Sequence, residues 1–231
     1  MSGFRPWCVV CEGKSEVSYL ANLARFLRSE MDARGLFVPP VSFVGKPPVH
    51  GVGTGRCETV KTAFEKERTG NRRASFRIWV DADLFVREET NDPASFSRHR
   101  AVFLGTSRRL PAFSFSSLNF EDFLALHFDD GLYEDWKRTF SAKGHFLHPL
   151  HGRDYLPLFR PFWRQFIGET APAYEKGDIP DGTITERSLA NLFRHCGDPD
   201  VVSAVRNITS EPTFAEFLRH EILAAFPDLE S

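Results

Sequence analysis

The segment that most constrains this chain is a short apolar run, Trp7-Cys8-Val9-Val10-Cys11, that ends on Glu12-Gly13. Glu16 and an amphipathic stretch from Val17 to Leu27 follow it. An apolar run without alternation reads as a strand buried on both faces, the habit of parallel sheets. Parallel neighbours need crossover connections, and the stretch after Gly13 supplies one. Leu20, Leu23, Ala24, Leu27 and Met31 share a stripe, with Arg25, Arg28 and Glu30 off it. Ser15 is placed to cap that helix and Gly35 to stop it. A strand, a turn and a helix in this order commit the chain to an α/β architecture, with two acids where the strand leaves the sheet.

The pattern recurs downstream. Leu36 to Val44 reads as a second strand whose first half, at Pro39-Pro40, is only a lead-in. Arg77 to Val80 is a third, running straight into Asp81-Ala82-Asp83, and Ala112 to Ser116 alternates with period two as a fourth. Helical stretches at Cys57–Arg68 and 92–110 separate them, and Asn119–Phe128 follows as a helix whose Phe120, Phe123, Leu124, His127 and Phe128 largely face the core. Four strands separated by helices predict a mostly parallel, Rossmann-like sheet flanked by helices. From Gly131 onward no strand is evident, and Tyr133–Phe140, Leu158–Ile167, Thr185–His195 and Thr213–Phe226 read as helices. The expected organisation is an α/β core over residues 1–130 and a helical extension over 131–231, packed on the core.

Composition narrows the class. With 231 residues, 42 % hydrophobic and 26 % charged, the chain is ordinary for a globular protein of one sizeable domain. The 23 Phe against 2 Met predict a core filled with aromatic rings. A net charge of −2 gives no global argument for polyanion binding, so any such site is a local patch. No cleavable signal and no long apolar run is evident, which predicts a cytoplasmic protein without a membrane partner. Cys8 and Cys11 form a CxxC inside a strand, where positions three apart face opposite ways, so they read as buried structural thiols rather than a zinc pair.

Acids at strand ends carry the chemistry. Ligands of parallel α/β sheets sit beyond the carboxyl ends of the strands, where Glu12, Asp81 and Asp83 fall. Asp81 and Asp83 project to the same side of an extended segment, and converging hard oxygen donors suit Mg²⁺ or Mn²⁺. Phosphodiester cleavage needs a hydroxide-like nucleophile and neutralised charge on the attacking and leaving oxygens; two ions about 3.5–4 Å apart supply both. Glu16 and Glu121 are further candidates, although either acid also favours a helix N-terminus on its own account.

Other signals are weaker. His50-Gly51-Val52-Gly53-Thr54-Gly55 opens a helix as a phosphate cradle does, or is a plain flexible loop. Arg98, Arg100, Arg108 and Arg109 form either a solvated face or a nucleic-acid-facing patch. Arg160 and Arg164 alternate with rings in Phe159–Phe166, as base-stacking surfaces or core-packed aromatic helices do. His145, His148 and His151 are spaced by three, but Pro149 breaks any helix there, which favours a loop with incidental histidines. His127 reads as a satisfied core histidine.

These segments resemble, in order, the RloB-like family, Toprim-type nucleases related to the OLD nucleases of bacterial defence genes. The resemblance rests on Val10-Cys11-Glu12-Gly13-Lys14-Ser15-Glu16, the glycine loop, and Val80-Asp81-Ala82-Asp83. It continues through Ser117-Leu118-Asn119-Phe120-Glu121 with Leu126-His127-Phe128, and Tyr174-Glu175-Lys176-Gly177. It implies a Toprim fold and an Mg²⁺- or Mn²⁺-dependent endonuclease with one or two ions, acting on DNA or RNA as an anti-phage effector. Glu12 and Glu16 match the family's paired acids, Asp81 and Asp83 its DxD, Glu121 a later acid and Lys176 a late lysine that steadies a pentavalent phosphate.

In the resulting assignment Glu12, Asp81 and Asp83 hold one ion, and Glu16 and Glu121 help to hold a second. Glu12 or a water on the metal serves as base, and Lys176 contacts phosphate. Asn119 stands where the OLD nucleases tend to have serine; its amide oxygen can still serve as a ligand. No ATP-hydrolysis motif is evident, so an ATPase, if required, is a separate subunit, and a homo-oligomer is left open. The rival reading is a non-catalytic Toprim-fold partner that binds nucleic acid or an ATPase subunit.

Overall fold

The computed structural model describes residues 5–36, 40–46, 57–70, 74–82, 113–150, 152–208 and 211–230. Asp83, the glycine loop and the stretch holding Arg98, Arg100, Arg108 and Arg109 lie outside the described residues. Four strands, β1 (Arg5–Cys11), β2 (Val41–Lys46), β3 (Ser75–Val80) and β4 (Phe113–Phe115), form one sheet in the order β2-β1-β3-β4. Every pairing is parallel, with Cys8 opposite Val44 on one side and Phe76 on the other. The α/β expectation is borne out, and the lead-in at Pro40 falls just before β2, as the missing N–H of proline requires.

Helix α1 (Lys14–Ala33) crosses from β1 to β2, and α2 (Cys57–Gly70) lies between β2 and β3. Their buried residues go to opposite faces. Leu20, Leu23 and Leu27 of α1 pack with Val9, Cys11, Phe43 and Trp79, whereas Val60, Ala63 and Phe64 of α2 pack with Val10, Ile78, Val80 and Phe115. The strand residues sort by period two, as a sheet buried on both faces demands. The first crossover leads from β1 out to β2 and the second returns past β1 to β3, so the winding reverses between β1 and β3, which is its switch point.

The C-terminal part is helical: α3 (Phe120–Ala125), α4 (Asp130–Ala142), α5 (Gly152–Ile167), α6 (Glu186–His195), α7 (Pro199–Ile208) and α8 (Phe214–Ala225). It does more than lean on the core. Phe214 and Phe217 of α8 join the α1 face, and Val205 of α7 joins the α2 face. Trp79 is fully buried, stacked on Phe214 with centroids 3.8 Å apart and edge-on to Phe123 at 4.9 Å. Arg77, on the same face, sits 4.0 Å over the Phe217 ring and donates to the Phe113 carbonyl at 3.3 Å. A second aromatic group, Tyr133, Trp136, Phe140, Tyr155, Phe159, Trp163 and Tyr174, joins α4 and α5 to the loop that follows, so the predicted ring-filled core is present. Among the described residues no helix is long and apolar enough to cross a membrane.

Two sequence expectations need correction. Helix α5 starts at Gly152 rather than after Pro157, and both Pro157 and Pro161 lie inside it. Both prolines are exposed, so water can reach the carbonyls they leave unpaired. Helix α7 went unforeseen because Val201, Val202 and Val205 are β-branched; Pro199 at its first position and Asp200 beside it were the available signals.

Candidate active site at the carboxyl edge of the sheet

The first acids are placed by the switch point. Glu12 leaves β1, its own N–H donating to the Trp79 carbonyl of β3 at 3.1 Å. Its Oε2 accepts the Asp81 N–H at 2.9 Å, so the two strand ends are locked together and Glu12 and Asp81 emerge side by side. Glu16 follows in the first turn of α1. Helix α1 begins at Gly13 with no side-chain cap, which corrects the expectation for Ser15: its hydroxyl instead accepts the Gly177 N–H at 2.8 Å. A Cβ on Gly13 would meet Glu16 Oε2 at 3.0 Å, so only glycine lets the carboxylate fold over the turn without displacement.

The later acid comes from the next strand. After β4, Ser116 donates its N–H to Val80 and Ala82 to Ser117, which ties the chain beside β3 before α3 begins. Glu121 lies in the first turn of α3 and points to the same edge as Glu12. Its Oε1 accepts the Tyr174 hydroxyl at 3.0 Å and lies 3.4 Å from Lys176 Nζ. Glu12, Glu16, Asp81, Glu121, Lys14 and Lys176 line one open cavity of about 300 Å³.

Residues 174–181 form a strap along α1. Ser15 and Ser18 accept the N–H groups of Gly177 and Ile179, Asn22 donates to the Ile179 carbonyl at 2.8 Å, and Arg25 pairs with Asp181. These α1 positions recur every three or four residues, one face of a helix. Gly177, with φ of 98°, supplies the turn that sets Lys176 at the cavity mouth. Tyr174, which sequence reasoning placed in a motif without a role, is thereby a cavity-supporting residue; the polar stripe Ser15, Ser18, Asn22 was the readable signal.

Electrostatics mark the cluster as short of positive charge. Glu16 is 4 % exposed, and its pKa is pushed up to about 8, by burial first and then by Glu12 and Glu121. Glu121 is also raised by burial, with Lys176 and the Tyr174 hydroxyl pulling the other way. Buried carboxylates raised in this manner are those a cation would stabilise. The donors, all hard oxygens, suit Mg²⁺ or Mn²⁺, which keep several waters and need only a few carboxylates. Among the described residues no three His, Cys, Asp or Glu side chains stand close enough to hold an ion as they are; Asp83, the second half of the DxD, falls outside the described set. The chemistry of the donor set fits a divalent cation.

Other residues singled out in the sequence have their own surroundings. Asn119 caps α3, its Oδ1 accepting the Asp122 N–H at 3.0 Å while Asp122 Oδ2 accepts its own N–H at 3.1 Å. His145 is no incidental loop residue either. Fully buried, it accepts the Leu150 N–H on Nδ1, which leaves Nε2 to donate to Asp122 at 3.0 Å. Tyr155 donates to the same carboxylate at 2.6 Å. His127 is a satisfied core histidine, accepting from Tyr19 and donating to the Ser188 carbonyl; burial lowers its pKa to about 3. The rings of Phe159 and Trp163 are buried and those of Phe162 and Phe166 partly so, which spends most of the motif's aromatic surface on the core; Arg160 and Arg164 are exposed, with Arg160 Nε donating to the Tyr174 carbonyl of the strap at 3.4 Å.

Compared with known proteins, the chain matches no family model, no curated protein and no solved structure.

Proposed function

We propose that the chain is a metal-dependent phosphodiesterase that cleaves DNA or RNA. The observation that carries the reading is the convergence of Glu12, Glu16, Asp81 and Glu121, from three neighbouring strand ends, on one cavity with Lys176 at its mouth. Acids packed this way, in a chain of ordinary composition, are costly unless a cation joins them. Glu12 and Asp81 would hold one Mg²⁺ or Mn²⁺ together with Asp83, and Glu16 and Glu121 would support a second. When bound, the ions would supply Lewis acidity and an activated water. The protein's own part is to fix Glu12 through the Asp81 N–H and Glu121 through Tyr174, and to place an ammonium where a phosphate's charge develops. Arg160, which touches the strap at Tyr174, and Arg164, one turn further along α5, are where a flanking phosphate would lie.

This reading agrees with the resemblance to the RloB-like, Toprim-type nucleases, and with it come the proposals of an anti-phage effector role, a cytoplasmic location and a separate ATPase subunit. The rival, a Toprim-fold partner that binds without cutting, draws on the lack of a closed three-acid cluster among the described residues. Incubation with plasmid, single-stranded DNA and tRNA in Mg²⁺ or Mn²⁺ tests the two. Cleavage that disappears in Glu12→Gln supports the nuclease; binding without cleavage supports the partner; cleavage retained in both Glu12→Gln and Asp81→Ala sinks the proposed site.

A further inference from the structure

We infer that Tyr174 is a positioning residue for the metal-facing carboxylate of Glu121, and that the strap exists to deliver it. The inference rests on the metal-site reading above. Tyr174 is 2 % exposed, its ring held edge-on by Phe159 at 5.2 Å and by Trp163 at 5.3 Å. Its hydroxyl emerges from that packing to donate to Glu121 Oε1 at 3.0 Å, the same oxygen that lies 3.4 Å from Lys176 Nζ. A carboxylate fixed at one oxygen by a donor presents its other oxygen in a set direction, which is how outer residues orient metal ligands.

The two donors differ in character. Lys176 reaches Glu121 from a long side chain that is 57 % exposed, a point charge that sets no angle by itself. Tyr174 is immobilised by the aromatic group of α5 and can set one. The backbone just after them, at Gly177 and Ile179, is anchored to α1 at Ser15, Ser18 and Asn22, so movement of α1 relative to α3 is resisted through the Tyr174–Glu121 bond. Glu16 on α1 and Glu121 on α3 thus keep their relation, which neither helix enforces alone.

Mn²⁺ binding at fixed pH, followed by the loss of the free-ion electron paramagnetic resonance signal, tests this alongside melting temperature. Tyr174→Phe keeps the ring and removes only the hydroxyl; it is expected to weaken Mn²⁺ binding by about tenfold or more while melting close to the wild type. Trp163→Phe disturbs the same packing without touching the hydroxyl, and is expected to lower the melting temperature and leave the affinity in place. Unchanged affinity in Tyr174→Phe overturns the inference while leaving the metal site standing. So do equal losses in the two variants, which would mean a packing role. No Mn²⁺ binding by the wild type overturns the metal reading and this inference with it.

Discussion

Glu121 and Asp122 are consecutive residues of α3, both buried, and they do opposite things. Asp122 turns into the protein, fully buried, where His145, Tyr155 and the Asn119 N–H all donate to it. Glu121 turns to the sheet edge, where burial and neighbouring acids meet one tyrosine and one lysine. An Asp-His-Tyr set resembles catalytic machinery by residue type, yet every one of its polar atoms is spent on another. The set at the sheet edge instead lines a cavity, with Glu16 and Glu121 raised by burial. A buried network closed on itself holds a fold together; buried acids facing a cavity invite chemistry.

The contrast can be broken from the structural side first. Asp122→Ala strands the His145, Tyr155 and Asn119 donors and removes half of the α3 capping box, so it should cost about 3–5 kcal/mol in urea unfolding. A loss below about 1 kcal/mol would show that the network is not what clamps α4 and α5 to α3.

The site side should behave the other way. Glu16 is raised to about 8 from an ordinary 4.5, so between those values the folded protein binds more protons than the unfolded chain. The sign follows: without a cation, stability falls as pH rises from about 4.5 to 8, and below that window the penalty vanishes. Glu16→Gln should therefore stabilise the metal-free protein near pH 8, by on the order of a few kcal/mol, and flatten the slope. A destabilised Glu16→Gln protein would place Glu16 with Asp122 among the structural acids.

Smaller effects sharpen the boundary between the two regions. Ser18→Ala removes one strap anchor and should cost about 1 kcal/mol. Arg160→Ala and Arg164→Ala should leave stability within about 0.5 kcal/mol while each reduces the salt dependence of nucleic-acid binding by about one ion. Salt dependence unchanged in both would remove α5 from the proposed path.

The difference in legibility has the same physical root. The parallel sheet was readable because apolar runs such as Trp7–Cys11 and Arg77–Val80 end abruptly on acids, a local pattern that also exposes Glu12 and Asp81. Glu121 was readable because it opens a helix just after a strand. The Asp122–His145–Tyr155 network was not, since its members are 23 and 33 residues apart and no spacing rule links them. The capping role of Asn119 was not legible either: an amide at a helix start serves as cap or ligand, and the bond from the Asp122 N–H at 3.0 Å is what shows the cap. Tyr174 lay inside a noticed motif, but its reach to Glu121 depends on a strap whose path is set by α1.

Whether the edge acids hold a cation is decided by the urea-unfolding midpoint near pH 8 with and without Mn²⁺, for the wild type and Asp81→Asn. A cation that binds the folded state alone must raise its stability. Mn²⁺ should raise the wild-type midpoint and leave that of Asp81→Asn nearly where it was. No shift in the wild type, or an equal shift in both proteins, would contradict it.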